Sequence, residues 1–151
     1  YTKSELDLLF NGIQDEDFNS FVKFAYYTGA RSGEIRNIQP QNLTEGSLAV
    51  FGKTGRRMVK ISRQAHTIIE NQDPLWSYSK DLVSHTFKKE VRRLEIKDAR
   101  FHDLRRTFGL NLIKQGMSIY KVSKLLGHAS VRTTEQHYAP LLTVEIEDFV
   151  L

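Results

Sequence analysis

The chain of 151 residues contains no cysteine. That excludes disulfides, thiol nucleophiles, iron–sulfur clusters and cysteine-ligated zinc. No stretch approaches the ~18 consecutive apolar residues of a membrane helix, and no basic-then-apolar leader opens the chain. There are only three prolines and no low-complexity tract, so a collagenous repeat or a long disordered tail is excluded. No internal repeat is visible. Apolar residues at 40% and charged residues at 26% are ordinary for one globular domain. Basic residues outnumber acidic ones by 22 to 18, a net charge of +4 and a mild bias toward polyanions. These features predict a soluble cytoplasmic domain. A first residue of Tyr1 rather than Met points to a piece of a longer protein.

Most of the chain reads as helix. Thr2-x-x-Glu5 is a capping box, and Leu6, Leu9, Phe10 and Ile13 share one face behind it. A second helix is expected over Asp17–Thr28, ended by Gly29. Ser32 is expected to cap a short helix that stops near Pro40. Ser47–Phe51 and Arg57–Ile61 are rich in strand formers and are joined by a turn with Gly52 and Gly55, which predicts a hairpin. Residues near Asn42–Thr44 can add a third strand. Further helices are expected after Ser62, through Val83–Leu94, over Asp103–Gln115, after Ser118 and after Ser130. Pro140 is expected to break the last of these, and Thr143 to start a final short helix. There Leu142, Ile146, Phe149 and Val150 form one apolar face, suited to folding back on the domain or docking on a neighbouring copy. The fold class is therefore α+β, mainly helical, with a small two- to three-stranded antiparallel sheet.

Four segments can carry chemistry, and each has an ordinary reading beside the functional one. In FHDLRRTFGL, His102 and Arg105 lie three apart at a helix start, which suits a phosphate; a solvated basic helix end is the alternative. In TGARSGEIR, a turn holds Arg31 at a helix edge, and Glu34 can fix its guanidinium from behind; an exposed ion pair is the alternative. In FGKTGRR, Lys53 sits at the hairpin tip, with Arg56 and Arg57 making a basic tip for backbone phosphates; gatekeeper charges are the alternative. In KLLGHASVRTTEQHYAP, His128 follows a helix-ending glycine and Tyr138 lies ten residues on. Lone His and Tyr side chains are commonly structural, as Tyr26, Tyr27 and Tyr120 are expected to be. Ile119–Leu126 and Val131–His137 also have the layout of a helix-turn-helix.

Taken together, TGARSGEIR, the GKTG hairpin, HDLRRTF, KLLGHAS and TTEQHYA resemble, in order and spacing, the catalytic domain of tyrosine recombinases of the phage-integrase type. The resemblance runs from about Thr2 to Pro140. It implies a single catalytic domain over residues 1–151, with the family's DNA-clamping N-terminal domain outside this chain. It implies Arg31, Lys53, His102, Arg105 and His128 as the activating set, and Tyr138 as the nucleophile that forms a 3′-phosphotyrosine. Arginine and histidine donors suit the charge on a pentacoordinate phosphorus. His102 is the implied acceptor of the Tyr138 proton, and Lys53 the acid for the 5′-oxygen. No metal and no cofactor is expected. Double-stranded DNA is the implied partner, with further copies of the chain assembling as a tetramer on it, an isolated domain that is monomeric, and no membrane contact. Two alternatives remain open, a relaxing type IB topoisomerase-like enzyme and a non-catalytic helix-turn-helix module.

Overall fold

The computed structural model describes residues 1–52, 55–143, 148 and 150–151, and among them helices surround one small sheet. α1 (Lys3–Gly12) starts at the expected capping box. Thr2 Oγ1 accepts from the Glu5 N–H at 3.1 Å, and the Thr2 N–H donates to Glu5 Oε1 at 2.8 Å. α2 (Glu16–Thr28) is capped by Asp15 and ends at Gly29, where φ is 67°. A Cβ at Gly29 would collide with the Phe108 ring, so glycine permits both the left-handed turn and a close crossing there.

α3 (Ser32–Arg36) departs from expectation at its start. Arg31, not Ser32, holds the cap position. The reason is Glu34, whose Oε1 accepts the Arg31 N–H at 2.8 Å and so satisfies the helix entrance from its third residue. A 3-10 turn at Pro40–Asn42 leads into β1 (Leu43–Thr44), β2 (Ser47–Gly52) and β3 (Gly55–Lys60). The three strands are antiparallel in that order, with Val50 opposite Arg57 and Gly52 opposite Gly55.

α4 (Arg63–Glu70), α5 (Lys80–Arg93) and α6 (Asp103–Lys114) follow, then α7 (Ile119–Leu126) and α8 (Val131–Thr143). Ser62, Ser79 and Ser118 each accept a backbone N–H three residues on, capping α4, α5 and α7. Pro140 does not break α8 but lies inside it. Proline removes only the bond to the Gln136 carbonyl, and that stretch of the helix is exposed, where solvent can serve the freed carbonyl. Most of the expected final helix, residues 144–147 and 149, lies outside the described residues; Val150 of its apolar face is described, and it is exposed and not helical.

The buried side chains form two clusters. The larger gathers α1–α5 around the sheet, with Phe21, Phe24, Val50, Trp76 and Phe87 at its centre. Edge-to-face contacts of Phe21 with Trp76 and Tyr78, and of Phe87 with Phe101, tie its layers together. The smaller joins α6, α7 and α8 through Val122, Leu126 and Tyr138, flanked by Phe108, Leu112 and Ile113. No described helix is long and apolar enough to cross a membrane.

Candidate active site

Arg105 lies where the two clusters meet. Its side chain is buried on α6; Nη1 donates to the Gly29 carbonyl at 2.7 Å and Nη2 to the Leu126 carbonyl at 2.5 Å. It therefore clamps the end of α2 to the end of α7. Burial first, and then the charges of Arg31 and Arg57, pull its pKa down to about 10, which leaves it a cation at neutral pH.

Behind it, Glu34 is 1% exposed yet ionised. Burial pushes its carboxyl up, but the Arg57 side chain, the Arg31 N–H and the charges of both arginines outweigh that and hold it below the usual range. The partner is not the one expected. Arg57 Nε and Nη2 fork onto Oε2 and Oε1 at 2.7 and 3.0 Å, while Arg31 gives Glu34 only its main-chain N–H. Arg57 thus turns inward rather than adding to a basic tip; Arg56 stays exposed, over the Phe51 ring at 5.9 Å. The Arg31 guanidinium is left with Nη1 buried and without a hydrogen-bond partner.

His102, Arg105, His128, His137 and Tyr138 line one cleft of about 180 Å³. His128 follows Gly127, the left-handed cap of α7. Its Nδ1 lies 2.5 Å from Oγ1 of the fully buried Thr134. Burial, then Arg105, His137 and Arg31, depress its pKa to about 4. His102 is also shifted down, by partial burial and then by Arg105 and Arg31, so both imidazoles are neutral at pH 7. His137 stacks on His128 with ring centroids 6.0 Å apart. Tyr138 is 2% exposed, and its hydroxyl rests against α6 at Gly109, where a Cβ would occupy the same space. Burial raises the phenol pKa, with Arg105 and Arg106 opposing in part. Among the described residues no group of three His, Asp or Glu side chains is placed to hold a metal.

Residues 2–143 match the phage integrase family. The chain belongs to the phage integrase family. It is 26% identical over 164 residues to the tyrosine recombinase XerC of Staphylococcus aureus (strain bovine RF122 / ET3-1), across 91% of this chain and 55% of that protein. The chain thus spans about half the length of the curated relatives it matches. Its fold is that of the catalytic domain of bacteriophage HP1 integrase, with a TM-score of 0.74 at 19% identity over 97% of this chain and 94% of the other. A lambda integrase dimer bound to a COC′ core site superposes at a TM-score of 0.77 and 16% identity, covering 100% of this chain and 62% of that one.

Of the integrase-type set expected from the sequence, His102, Arg105, His128 and Tyr138 share the cleft, and Arg31 acts on it from beside Arg105. Lys53 falls outside the described residues. Two neighbours of the cleft escaped the sequence, Thr134, which partners His128, and His137, which stacks on it; Arg57, expected at a basic tip, instead takes Glu34. For Thr134 and His137 the helical spacing of TTEQHY held a usable signal, since residues 134, 137 and 138 share a face. For Arg57 there was none, because its partner is 23 residues away. Tyr120 is not packing: it is 61% exposed, with Lys124 Nζ 5.3 Å from its ring.

Proposed function

We propose that this chain is the catalytic domain of a site-specific DNA recombinase or integrase, cutting and rejoining DNA through a 3′-phosphotyrosine at Tyr138. The observation that carries this reading is the unpartnered Arg31 Nη1, buried beside Arg105 and two neutral histidines. A buried guanidinium nitrogen without a partner is costly, and an anion completes it. A phosphodiester fits, because its transition state gathers charge on the non-bridging oxygens. Family membership and the XerC relative support the same reading.

In this reaction the Tyr138 oxygen attacks phosphorus and the bond to the 5′-oxygen breaks. Burial keeps the phenol protonated at rest, so it must lose its proton as it attacks. Neutral His102 accepts that proton. With the Thr134 hydroxyl as donor to Nδ1 of His128, the imidazole proton sits on Nε2, where it is a neutral donor for the phosphate. Arg31 and Arg105 supply the charge, and Lys53 protonates the departing 5′-oxygen. The phosphotyrosine keeps the bond energy, so rejoining needs no added energy source. Residues 1–151 make up the catalytic domain in this view, with DNA clamping supplied from outside this chain. The partners are double-stranded DNA and further copies of the protein, as in the lambda integrase dimer on its core site. A helix-turn-helix module of α7 and α8 alone would leave the buried charges of Arg31, Glu34 and Arg105 without purpose.

The test is covalent trapping. A nicked DNA that loses its leaving strand is expected to give a protein–DNA adduct that maps to Tyr138. An adduct that survives Tyr138→Phe overturns the assignment. Joining of two different duplexes separates a recombinase from an enzyme that only relaxes DNA.

A further inference from the structure

Arg57 differs from Arg31 and Arg105 in having Nε, Nη1 and Nη2 all engaged, where Arg105 commits its two Nη atoms and Arg31 has a buried Nη1 without a partner. It leaves β3 opposite Val50 and runs inward, 14% exposed. Nε and Nη2 take both oxygens of Glu34 on α3, and Nη1 donates to the Leu125 carbonyl of α7 at 2.9 Å. Each of those contacts adjoins a residue of the cleft. Glu34 also accepts the Arg31 N–H, and so sets the point from which the Arg31 side chain departs. Leu125 precedes Leu126, whose carbonyl takes Arg105, and His128 follows with its N–H donating to Ser123 at 3.1 Å.

Two glycines make room for this side chain and its partner. At Gly127, with φ 72°, a Cβ would lie 2.6 Å from Arg57 Cδ. At Gly52 a Cβ would lie 2.9 Å from Glu34 Cγ. The backbone therefore passes as close to the pair as it can on both sides. Stability alone is a poor account of such an arrangement, since a buried ion pair is often no better than an apolar pair of equal volume. A planar guanidinium does something an apolar pair or a lysine cannot. It fixes oxygens on two separate helices in one plane.

We propose that Arg57 is a positioning residue of the reaction: through Glu34 and the Leu125 carbonyl it sets Arg31 and His128 against the phosphate. This rests on the recombinase reading above. Arg57 touches no substrate in this role, so its loss misplaces donors without removing a phosphate contact.

The experiment compares Arg57→Met and Arg57→Lys with the unmutated protein on the nicked DNA, at protein concentrations that saturate binding. The cleavage rate of both variants is expected to fall by about 10²-fold, the scale of a 1 Å misplacement. DNA affinity should change by less than about threefold, since no phosphate contact is lost. A DNA with sulfur in place of the 5′-bridging oxygen, which leaves without a proton, should not restore the rate. Circular dichroism melts place every assay well below unfolding, so a role in stability alone would leave the rate of the folded protein unchanged. Should Arg57→Met not fold, Arg57→Lys, which keeps the buried charge paired, carries the test. Full activity in the lysine variant, or rescue by sulfur, overturns the proposal. If the unmutated protein forms no adduct, the recombinase reading fails and this proposal with it. An Arg57 variant that cleaves normally, beside an active unmutated protein, sinks this proposal alone.

Discussion

Arg105 lines the cleft and Arg31 acts on it from beside Arg105, but the two stand in opposite relation to the fold. Arg105 satisfies two backbone carbonyls from different clusters. Arg31 has a buried nitrogen with no partner. Arg105→Ala is therefore expected to lower stability by about 1–3 kcal/mol for the carbonyls it strands. Arg31→Met should leave stability unchanged or raise it by about 1 kcal/mol, since it removes a buried guanidinium nitrogen that has no hydrogen-bond partner. Both should cost the chemical step at least ~3 kcal/mol, as losing an oxyanion donor does. Urea titrations and single-turnover cleavage of the same two proteins check this; an Arg31→Met protein as unstable as Arg105→Ala would contradict it. His128 adds a pH dependence. Its pKa is about 4 when folded, against about 6.5 for a free imidazole. Between these values the unfolded chain binds a proton that the native state refuses. Stability is thus full above about pH 6.5 and declines as pH falls toward about 4, with His102 acting in the same direction. His128→Asn should flatten that decline, which denaturation midpoints at pH 7, 5.5 and 4.5 would show.

At the scale of elements, α7 matters beyond its length. It has eight residues, too short to persist alone, yet its last carbonyls receive both Arg57 and Arg105. Its start depends on Ser118, whose hydroxyl accepts the Lys121 N–H at 3.2 Å. Ser118→Ala is expected to cost about 1 kcal/mol. Because fraying would begin at the far end from the arginines, cleavage by the folded protein should change little. A thermal melt beside a single-turnover assay tests both halves, and a large loss of rate at unchanged stability would show that the α7 entrance bears on the chemistry. α8 shows how packing overrides a local signal. Tyr138 and Thr134 are buried on its inner face, which holds the helix through Pro140 despite the missing donor.

At the scale of the whole molecule, the cleft lies at the junction of a large and a small hydrophobic cluster. Leu126 belongs to the smaller one, 1% exposed, and its carbonyl is an Arg105 acceptor. Leu126→Ala should cost about 2–5 kcal/mol. The single tryptophan, Trp76, is buried in the larger cluster and reports on that side only. The Arg105 clamp and the Phe108–Gly29 contact join the two sides. Trp76 emission and far-ultraviolet circular dichroism should therefore show one shared, lowered transition in Leu126→Ala. Helix loss that precedes the Trp76 change would mean that α6–α8 unfold on their own.

Helix starts were legible locally: Thr2, Ser62 and Ser118 cap as their side chains dictate, and the hairpin itself follows from strand formers around Gly52 and Gly55, although its second strand runs Gly55–Lys60 rather than Arg57–Ile61 because the strands pair up to Gly52 and Gly55. The candidate site residues were legible as motifs too, because Arg31, His102, Arg105, His128 and Tyr138 sit in segments whose order survives without any structure. Which of them touch was not legible. His102 and Tyr138 are 36 positions apart, and only the meeting of α6 with α8 puts them in one cleft. The partner of Glu34 was misread for the same reason. A carboxylate three residues from Arg31 has an obvious local partner, yet desolvation at 1% exposure selects the donor that can fork onto both oxygens, and the sheet delivers Arg57 there. Local sequence thus determined most of the elements and the candidate reacting groups. Tertiary structure decided the pairing of buried charges, because the cost of an unpaired charge depends on the burial and distance that only the folded chain creates.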